Sequence, residues 1–176
     1  VKEALELKTA EYRPVIKADL ESIEAGRAGL RQLVEHPDRG GQYAWRVLSH
    51  TLSYSASLIP EIADDVQAID EAMKSGYAWR WGPFELIDKL GPRWFAEKLK
   101  ADGMAVPALL EQGGDGSFYR THNGALQHFD TDGSYRNVRR PKGVLLLSDL
   151  KRATEKIAGN RSASIWDIGN HVMCLE

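Results

Sequence analysis

The sequence predicts a mainly α-helical bundle with a small β-hairpin near its C-terminal third. Apolar residues recur at helical spacing over residues 20–35 and again over 42–59, which is typical of helices that pack against a core. The pattern changes at Gln112, beyond which short β-prone runs are broken by Asn-Gly at 123–124 and Asp-Gly at 132–133. Both dipeptides tolerate positive φ and therefore favour tight hairpin turns.

The first two helices differ in their predicted surroundings. Residues 1–18 show little periodicity, and Asp19 is expected to cap an amphipathic helix over 20–35. The turn-rich segment 36–41 should end that helix. The helix over 42–59 is apolar almost all round, which predicts a place in the middle of the bundle.

Shorter helices should follow. A helix over 64–75 is expected to begin at Asp64 or Asp65 and to end before Gly76 as a left-handed cap. Pro83 suits the first turn of the next helix, because its missing N–H has no partner to lose there. The predicted buried stripe of that helix is Phe84, Ile87 and Leu90. The remaining predicted elements are helices from Trp94 to Gly103, over 106–112 and over 146–158, and two short strands around Gly169-Asn170.

Composition excludes several classes of protein. The chain has 176 residues and a formal net charge of -2, so nothing draws it to nucleic acid or to an anionic membrane. No apolar run approaches the roughly 20 residues that span a bilayer. Cys174 is the only cysteine, so an intramolecular disulfide is impossible and a reducing, cytoplasmic setting is expected. The N-terminal residues lack the apolar region of a signal peptide. The chain also lacks an initiator Met, so we expect a piece of a longer protein, although processing could have the same result.

Two histidine clusters are the candidates for chemistry. His122, His128, Asp130 and Asp132 lie close together in the hairpin region and could bind a metal, although polar hairpin surfaces usually serve solubility. His50 lies mid-helix beside Ser49, Ser53 and Ser55, where a nucleophile–base pair is conceivable. A hydrogen-bonded buried histidine is favoured instead, because no third residue completes a triad.

Glycine and tryptophan offer weaker signals. The glycine-rich segment 113–116 is not followed by Lys-Ser/Thr, and the chain contains no strand–GxGxxG–helix unit. The sequence therefore predicts no dinucleotide site in this chain. Trp79 and Trp81 flank Arg80 and are expected either at an interface rim or buried beneath the helices, with neither alternative preferred.

Residues 68–73 (AIDEAM) and 76–88 (GYAWRWGPFELID) resemble a signature of the 3-hydroxyacyl-CoA dehydrogenase C-terminal domain. The resemblance covers about residues 42–103. It implies a helical fold like the 6-phosphogluconate dehydrogenase C-terminal domain, which packs against an NAD-binding Rossmann domain. A catalytic copy carries an Asn-Arg pair near the start of the long helix, where this chain has Trp45-Arg46. An indole has one donor and no carbonyl, so it cannot replace that amide, and the family's catalytic His-Glu pair belongs to the Rossmann domain. We therefore expect no catalytic residue here, and we also expect no cofactor-binding or metal-binding residue.

The last residues, 164–176, resemble the first strands of an enoyl-CoA hydratase (crotonase) domain. Together the two resemblances imply an accessory second copy in a multifunctional β-oxidation protein whose cofactor is NAD and whose substrate is an acyl-CoA. This piece would shape the acyl-CoA cleft and hold the domains together. The implied partners are the Rossmann and crotonase domains of the parent chain. The expected division is a helical domain over 1–111, a hairpin-and-helix linker over 112–160, and the start of the hydratase-like module over 161–176.

Alternatives remain open. The basic segment Arg136, Arg139, Arg140 and Lys142 could meet the phosphates of a CoA ester, although a solvated charged loop is favoured. The whole chain could instead be a free-standing helical interaction domain, or a small hydrolase that uses His50 or the His122–Asp132 cluster.

Overall fold

The computed structural model describes residues 2–16 and 19–176, and helices dominate this part of the chain. It is 44% helical with eight helices and some small sheets, which confirms the mainly α prediction. None of the helices in these two ranges combines the length and the hydropathy that crossing a bilayer requires.

The elements follow one another in a simple order. The helices are Glu21–Ala28 (α1), Leu30–Glu35 (α2), Arg39–Ser57 (α3), Val66–Tyr77 (α4), Pro83–Leu90 (α5), Pro92–Ala101 (α6), Ala108–Gly113 (α7) and Leu147–Ala153 (α8). The strands are Glu3–Leu5 (β1), Tyr12–Pro14 (β2), Tyr119–His122 (β3), Ala125–Phe129 (β4), Tyr135–Asn137 (β5), Ala158–Gly159 (β6), Ser164–Asp167 (β7) and Met173–Leu175 (β8).

All three described sheets are antiparallel meanders: β1-β2, β3-β4-β5 and β6-β7-β8. Asn123 and Gly124, between β3 and β4, both have positive φ, and Gly133 does so before β5. These turns confirm the hairpin predicted from the two Gly dipeptides. The strands predicted around Gly169-Asn170 are β7 and β8. The hairpin of β1 and β2 was not predicted, since residues 1–18 were expected to be irregular.

The chain divides into two compact units, 1–47 and 48–176. In the first unit, Asp38 caps the start of α3, because its carboxylate accepts the amide of Gly41 at 2.9 Å and that of Ser22 at 3.0 Å. Burial acts to raise the pKa of Asp38, but these bonds outweigh it and hold the pKa well below its usual range. The predicted Asp19 cap is wrong: Leu20 occupies the N-cap of α1 without a side-chain bond.

Gly29 separates α1 from α2, so the single helix predicted over 20–35 is two. Gly41 has a packing reason to be glycine. A Cβ at this position would lie 2.1 Å from the carbonyl oxygen of His36, which is closer than any real contact. The turn before α3 therefore requires glycine at position 41, because a side chain there would push the two backbone segments apart.

The second unit is built on an aromatic row. Phe84 of α5 lies 4.9 Å from Phe118, measured between ring centroids, and Phe118 lies 6.1 Å from Phe129 of β4. Phe129 in turn lies 5.4 Å from Tyr135 of β5. Edge-to-face pairs of this kind add to the stabilisation from burial. The predicted stripe of Phe84, Ile87 and Leu90 is confirmed as fully buried.

Helix α3 corrects one prediction. Its residues were expected to be buried all round, yet Tyr43, Val47 and Tyr54 are exposed. Ser49 and Leu52 are buried three residues apart, so one face alone contributes to packing. Tyrosine tolerates this exposure because its hydroxyl stays hydrated.

Two helix ends also differ from expectation. Asp65 caps α4 as predicted, accepting the amide of Ala68 at 2.9 Å, but the left-handed residue at the other end is Ala78 rather than Gly76. Helix α8 ends at Ala153, earlier than predicted, because residues 158–159 join the last sheet as β6.

Candidate functional site

The polar residues of the segment 70–88 meet at the start of α5. Asp70 projects from α4 and is fully buried. Its Oδ1 accepts the amide of Phe84 at 2.8 Å, and its Oδ2 accepts the amide of Glu85 at 3.1 Å. Asp70 therefore accepts hydrogen bonds from two backbone amides in the first turn of α5, which have no partner within their own helix.

Gly82 makes this approach possible. A Cβ on Gly82 would lie 2.2 Å from Cγ of Asp70, which is sterically excluded. Glu85 closes the turn from the other side, since its carboxylate accepts the Gly82 amide at 2.8 Å and the Lys74 ammonium at 3.0 Å. Pro83, between them, loses no hydrogen bond at the first helical position.

Asp88, one turn further along α5, also binds two backbone amides. Its carboxylate accepts the amides of Phe118 at 2.7 Å and Tyr119 at 2.8 Å, which attaches α5 to β3. The Tyr119 side chain lies close enough to Asp70 for the two groups to influence each other's pKa. We call Asp70, Glu85, Asp88 and Tyr119 the carboxylate clasp, because together they join α4, α5 and β3.

Burial dominates the acid–base behaviour of the clasp. It raises the pKa of Asp70 to about 7 and that of Asp88 to about 6, and the nearby Glu85 charge acts in the same direction. It also raises the pKa of the Tyr119 hydroxyl above its usual range, with the Asp70 charge adding to the effect. Both carboxyls thus favour their protonated form more than free aspartate does.

A perturbed pKa often marks a catalytic acid, but the contacts of the clasp favour a structural role. Each Asp carboxylate already bonds two backbone amides, and Asp70 has no exposed surface. The adjoining cavity measures about 260 Å³ and is lined in part by Asp88, Tyr119 and Lys89. Lys89 Nζ lies 3.9 Å from the Trp81 ring centroid, a cation–π contact that covers the cavity rim.

The two tryptophans of this segment differ in exposure. Trp81 is exposed at the rim of that cavity, whereas Trp79 is half-buried. An interface at either side chain stays a prediction.

The histidines of the hairpin do not converge. His122 pairs with Ala125 and His128 pairs with Tyr119, so the two rings lie at opposite ends of β3. His128 is buried and His122 is exposed. Asp130 and Asp132 both bind Arg136 instead. Within residues 2–16 and 19–176, no group of three or more metal-binding side chains is found in a suitable arrangement.

His50 also corrects the sequence interpretation, because it is exposed rather than buried. The Ser53 hydroxyl donates to the His50 carbonyl at 3.2 Å, and the Ser55 hydroxyl donates to the Thr51 carbonyl at 2.9 Å. Such bonds to the preceding turn are common for helical serines. Neither hydroxyl bonds the imidazole.

The basic segment folds back onto acidic residues. Arg139 binds Asp65 at 2.6 Å, and Arg140 binds Asp149 at 2.7 Å. A cavity of about 610 Å³ lies beside them and is also lined by Gln67 of α4. Because these guanidinium groups already form ion pairs, they would bind a phosphate more weakly than the unpaired cations of a solvated loop would.

Trp45 is half-buried and Arg46 exposed on α3. The nearby cavity, within the first unit, measures about 590 Å³ and is lined by Arg39, Gln42 and Arg46, among others. Gln42 supplies a side-chain amide to the lining of this cavity, and its Nε2 donates to the Pro37 carbonyl at 2.8 Å.

Sequence reasoning placed the apolar residues of this segment but missed Asp70, Asp88 and Tyr119. Asp70 accepts a backbone amide 14 residues further along the chain, and Asp88 accepts one 30 residues further along. No local sequence pattern therefore indicates their partners. A usable signal was present in the first case, since a Gly-Pro start without a capping side chain requires acceptors from elsewhere.

Comparisons with known proteins agree with the motif. Residues 41–131 match the family described as 3-hydroxyacyl-CoA dehydrogenase, C-terminal domain. A Bacillus subtilis protein named as a 3-hydroxyacyl-CoA dehydrogenase is 38% identical over 96% of this chain and 22% of its own length. A Rickettsia felis protein named as a fatty acid oxidation complex trifunctional enzyme is 26% identical over 99% of this chain and 22% of its own. The chain thus spans about a fifth of these relatives, and no solved structure gives a significant match.

Proposed function

Since this chain belongs to the 3-hydroxyacyl-CoA dehydrogenase C-terminal domain family, we propose that it is an accessory, structural domain of a longer β-oxidation enzyme. The parent would join an NAD-dependent 3-hydroxyacyl-CoA dehydrogenase to an enoyl-CoA hydratase. It would oxidise a 3-hydroxyacyl-CoA to the 3-ketoacyl-CoA, and NAD would accept the hydride. The relatives' names and their greater length support a multidomain parent.

The observation that carries this proposal is the carboxylate clasp. Asp70 and Asp88 are the acidic residues of the segment with raised pKa, and each accepts two backbone amides. A carboxylate held by two backbone amides fixes helices and strands, and Asp70, which has no exposed surface, offers no oxygen that a substrate can reach. The most distinctive part of the sequence therefore serves the fold.

Trp45 supports the same proposal. The family resemblance places it where a catalytic copy has asparagine, and an indole cannot accept a hydrogen bond as an amide oxygen can.

The described residues do not fit NAD. Dinucleotide-binding domains are built on parallel strands joined by helices, whereas every described sheet is antiparallel. We therefore assign NAD and the acyl-CoA chemistry to other domains of the parent. On this proposal residues 1–111 form the helical domain, 112–160 a linker, and 161–176 the start of the hydratase-like module.

Calorimetry on the isolated chain is the first test. Titration with NAD should give no heat of binding, and titration with acetoacetyl-CoA should give weak binding at most. Tight NAD binding, or NAD reduction by the isolated chain with a hydroxyacyl-CoA, would refute the accessory role. A free-standing interaction domain, the other candidate, predicts that no dehydrogenase activity accompanies the full-length protein.

A second test uses kinetics in the full-length polypeptide. Trp45→Ala should leave dehydrogenase kcat/KM within about twofold of the original, because the reacting atoms lie elsewhere. Trp79→Ala, which also removes a half-buried indole, is the matched control. A hundredfold loss in kcat/KM specific to Trp45→Ala, roughly 2.7 kcal/mol of transition-state stabilisation, would place this residue in the active site.

A further inference from the structure

The cavity at the start of α3 lies within the first unit and measures about 590 Å³. Cavities of about 300–1,000 Å³ are the size that holds a small organic molecule. The residues that line it are Leu20, Arg39, Gly40, Gln42, Tyr43 and Arg46. None of these residues is acidic, and two carry guanidinium groups, so the lining favours a negatively charged ligand.

The two arginines reach this cavity from a single helix. Arg39 and Arg46 are two helical turns apart on α3, a rise of about 10 Å. Residues at this spacing lie on one face of a helix, and Gln42 and Tyr43 lie between them. Along one side of the cavity the helix therefore presents a cation, then an amide and a phenol ring, and then a second cation.

Arg39 differs from most arginines of this chain, because it has no acidic partner. The others mostly form ion pairs with carboxylates, as Arg139 and Arg140 do. Within residues 2–16 and 19–176, no carboxylate lies at ion-pair distance from Arg39. Asp38, its neighbour in the chain, instead accepts two backbone amides. The exposed Arg39 guanidinium group is therefore available to a ligand.

We infer that this cavity binds a phosphate dianion through Arg39 and Arg46. A phosphate group of this kind carries a charge of about −1.5 to −2 at pH 7 and three acceptor oxygens, which two forked guanidinium groups match. A carboxylate or a phosphodiester carries a single charge, for which one guanidinium group suffices. The inference goes beyond the proposed function, which places no ligand at this cavity.

A phosphate dianion has two sources, inorganic phosphate and a phosphomonoester. The size of the cavity and the ring of Tyr43 favour the ester, because they leave room for an organic group beside the phosphate. Coenzyme A carries such an ester on its ribose, whereas NAD has none; coenzyme A as the source rests on the proposed function. Both arginines are exposed, so water and salt should keep the binding weak.

Amide NMR titrations of the 176-residue chain at low ionic strength test the inference. Coenzyme A should shift the signals of residues 39–46 and should bind at least about tenfold more tightly than dephospho-coenzyme A, which lacks only the 3′-phosphate. NAD should shift none of these signals. Inorganic phosphate distinguishes the sources: binding as tight as that of coenzyme A assigns the cavity to free phosphate, and weaker binding assigns it to the ester.

Arg39→Gln should weaken the binding of coenzyme A at least about tenfold, because it removes charge-assisted hydrogen bonds to the phosphate. Arg161→Gln is the matched control, since Arg161 is also exposed but does not line the cavity. Unchanged unfolding temperatures check that both variants keep the fold.

Equal affinities for coenzyme A and dephospho-coenzyme A would overturn the inference. So would equal weakening in the two variants, or no shift of residues 39–46 at millimolar ligand. A failure of the proposed function would appear instead as NAD reduction by the isolated chain. That result leaves the phosphate titrations unaffected, so the two failures are distinguishable.

Discussion

The carboxylate clasp and the N-terminal hairpin are opposite solutions to the problem of joining short elements. In the clasp, each Asp carboxylate accepts two backbone amides, and Phe84 and Phe118 pack beside them out of contact with water. In the hairpin, one ion pair lies on one face and the apolar side chains of the other face contact solvent. The clasp therefore pairs its polar groups within this chain, whereas the hairpin leaves its large apolar side chains in contact with solvent.

The largest expected effect comes from the core beside the clasp. Phe84→Ala should lower the free energy of unfolding by about 3–5 kcal/mol, because the ring has no exposed surface and leaves a cavity against Phe118. Urea denaturation of the isolated chain measures the change. A loss below about 0.5 kcal/mol would mean that this ring does not anchor α5.

Removing one acid of the clasp should have a smaller effect. Asp88→Ala leaves the amides of Phe118 and Tyr119 without their acceptor, which should cost about 2–3 kcal/mol in unfolding free energy. Asp167→Ala, which alters an exposed acid, is the control. Comparable losses in both variants would indicate that Asp88 has no special part in holding β3.

The pH dependence of stability should follow the two raised pKa values. Asp70 and Asp88 titrate at about 7 and about 6 in the folded chain, but at about 3.9 once unfolded. Between these values the folded state binds more protons, so stability should increase as the pH falls from about 8 to about 5, by on the order of 1 kcal/mol or more. Urea midpoints across this range measure the slope.

Asp70→Asn should flatten that slope, because the amide does not titrate. Below about pH 4 the trend should reverse, because acids with lowered pKa, among them Asp65 and Asp149, lose their ion pairs. Stability that rises steadily from pH 5 to pH 8 would contradict the sign of both raised values.

The smallest effect is expected in the hairpin. Leu7→Ser in the isolated chain should change the free energy of unfolding by less than about 0.5 kcal/mol, because the side chain is already in water. Urea denaturation of this variant and of Phe84→Ala makes the comparison, and equal losses in the two variants would remove the contrast between the two regions.

Periodicity and turn chemistry predicted much of the fold. The stripe of Phe84, Ile87 and Leu90, the Asp65 cap and the turns at 123–124 and 132–133 all depend on residues near in sequence, where local rules apply. Burial around α3 was not predictable, since an apolar count does not distinguish a tyrosine facing solvent from one in a core. His50, which is exposed, was wrongly expected to be buried for the same reason.

The site was predictable only in part. The motif at 76–88 indicated the family, but the partners of Asp70 and Asp88 lie far along the chain and depend on how α4, α5 and β3 pack. The hairpin at β1 and β2 was missed because its alternation spans only a few residues on each strand, below the length at which a period of two is recognisable.

We propose that residues 70–88 of this chain support structure rather than chemistry. Steady-state kinetics of Asp88→Ala in the full-length polypeptide, assayed well below its unfolding temperature, test this proposal. We expect a dehydrogenase kcat/KM within about twofold of the original, together with a lower unfolding temperature. A loss of about a hundredfold or more in kcat/KM at unchanged stability would contradict it.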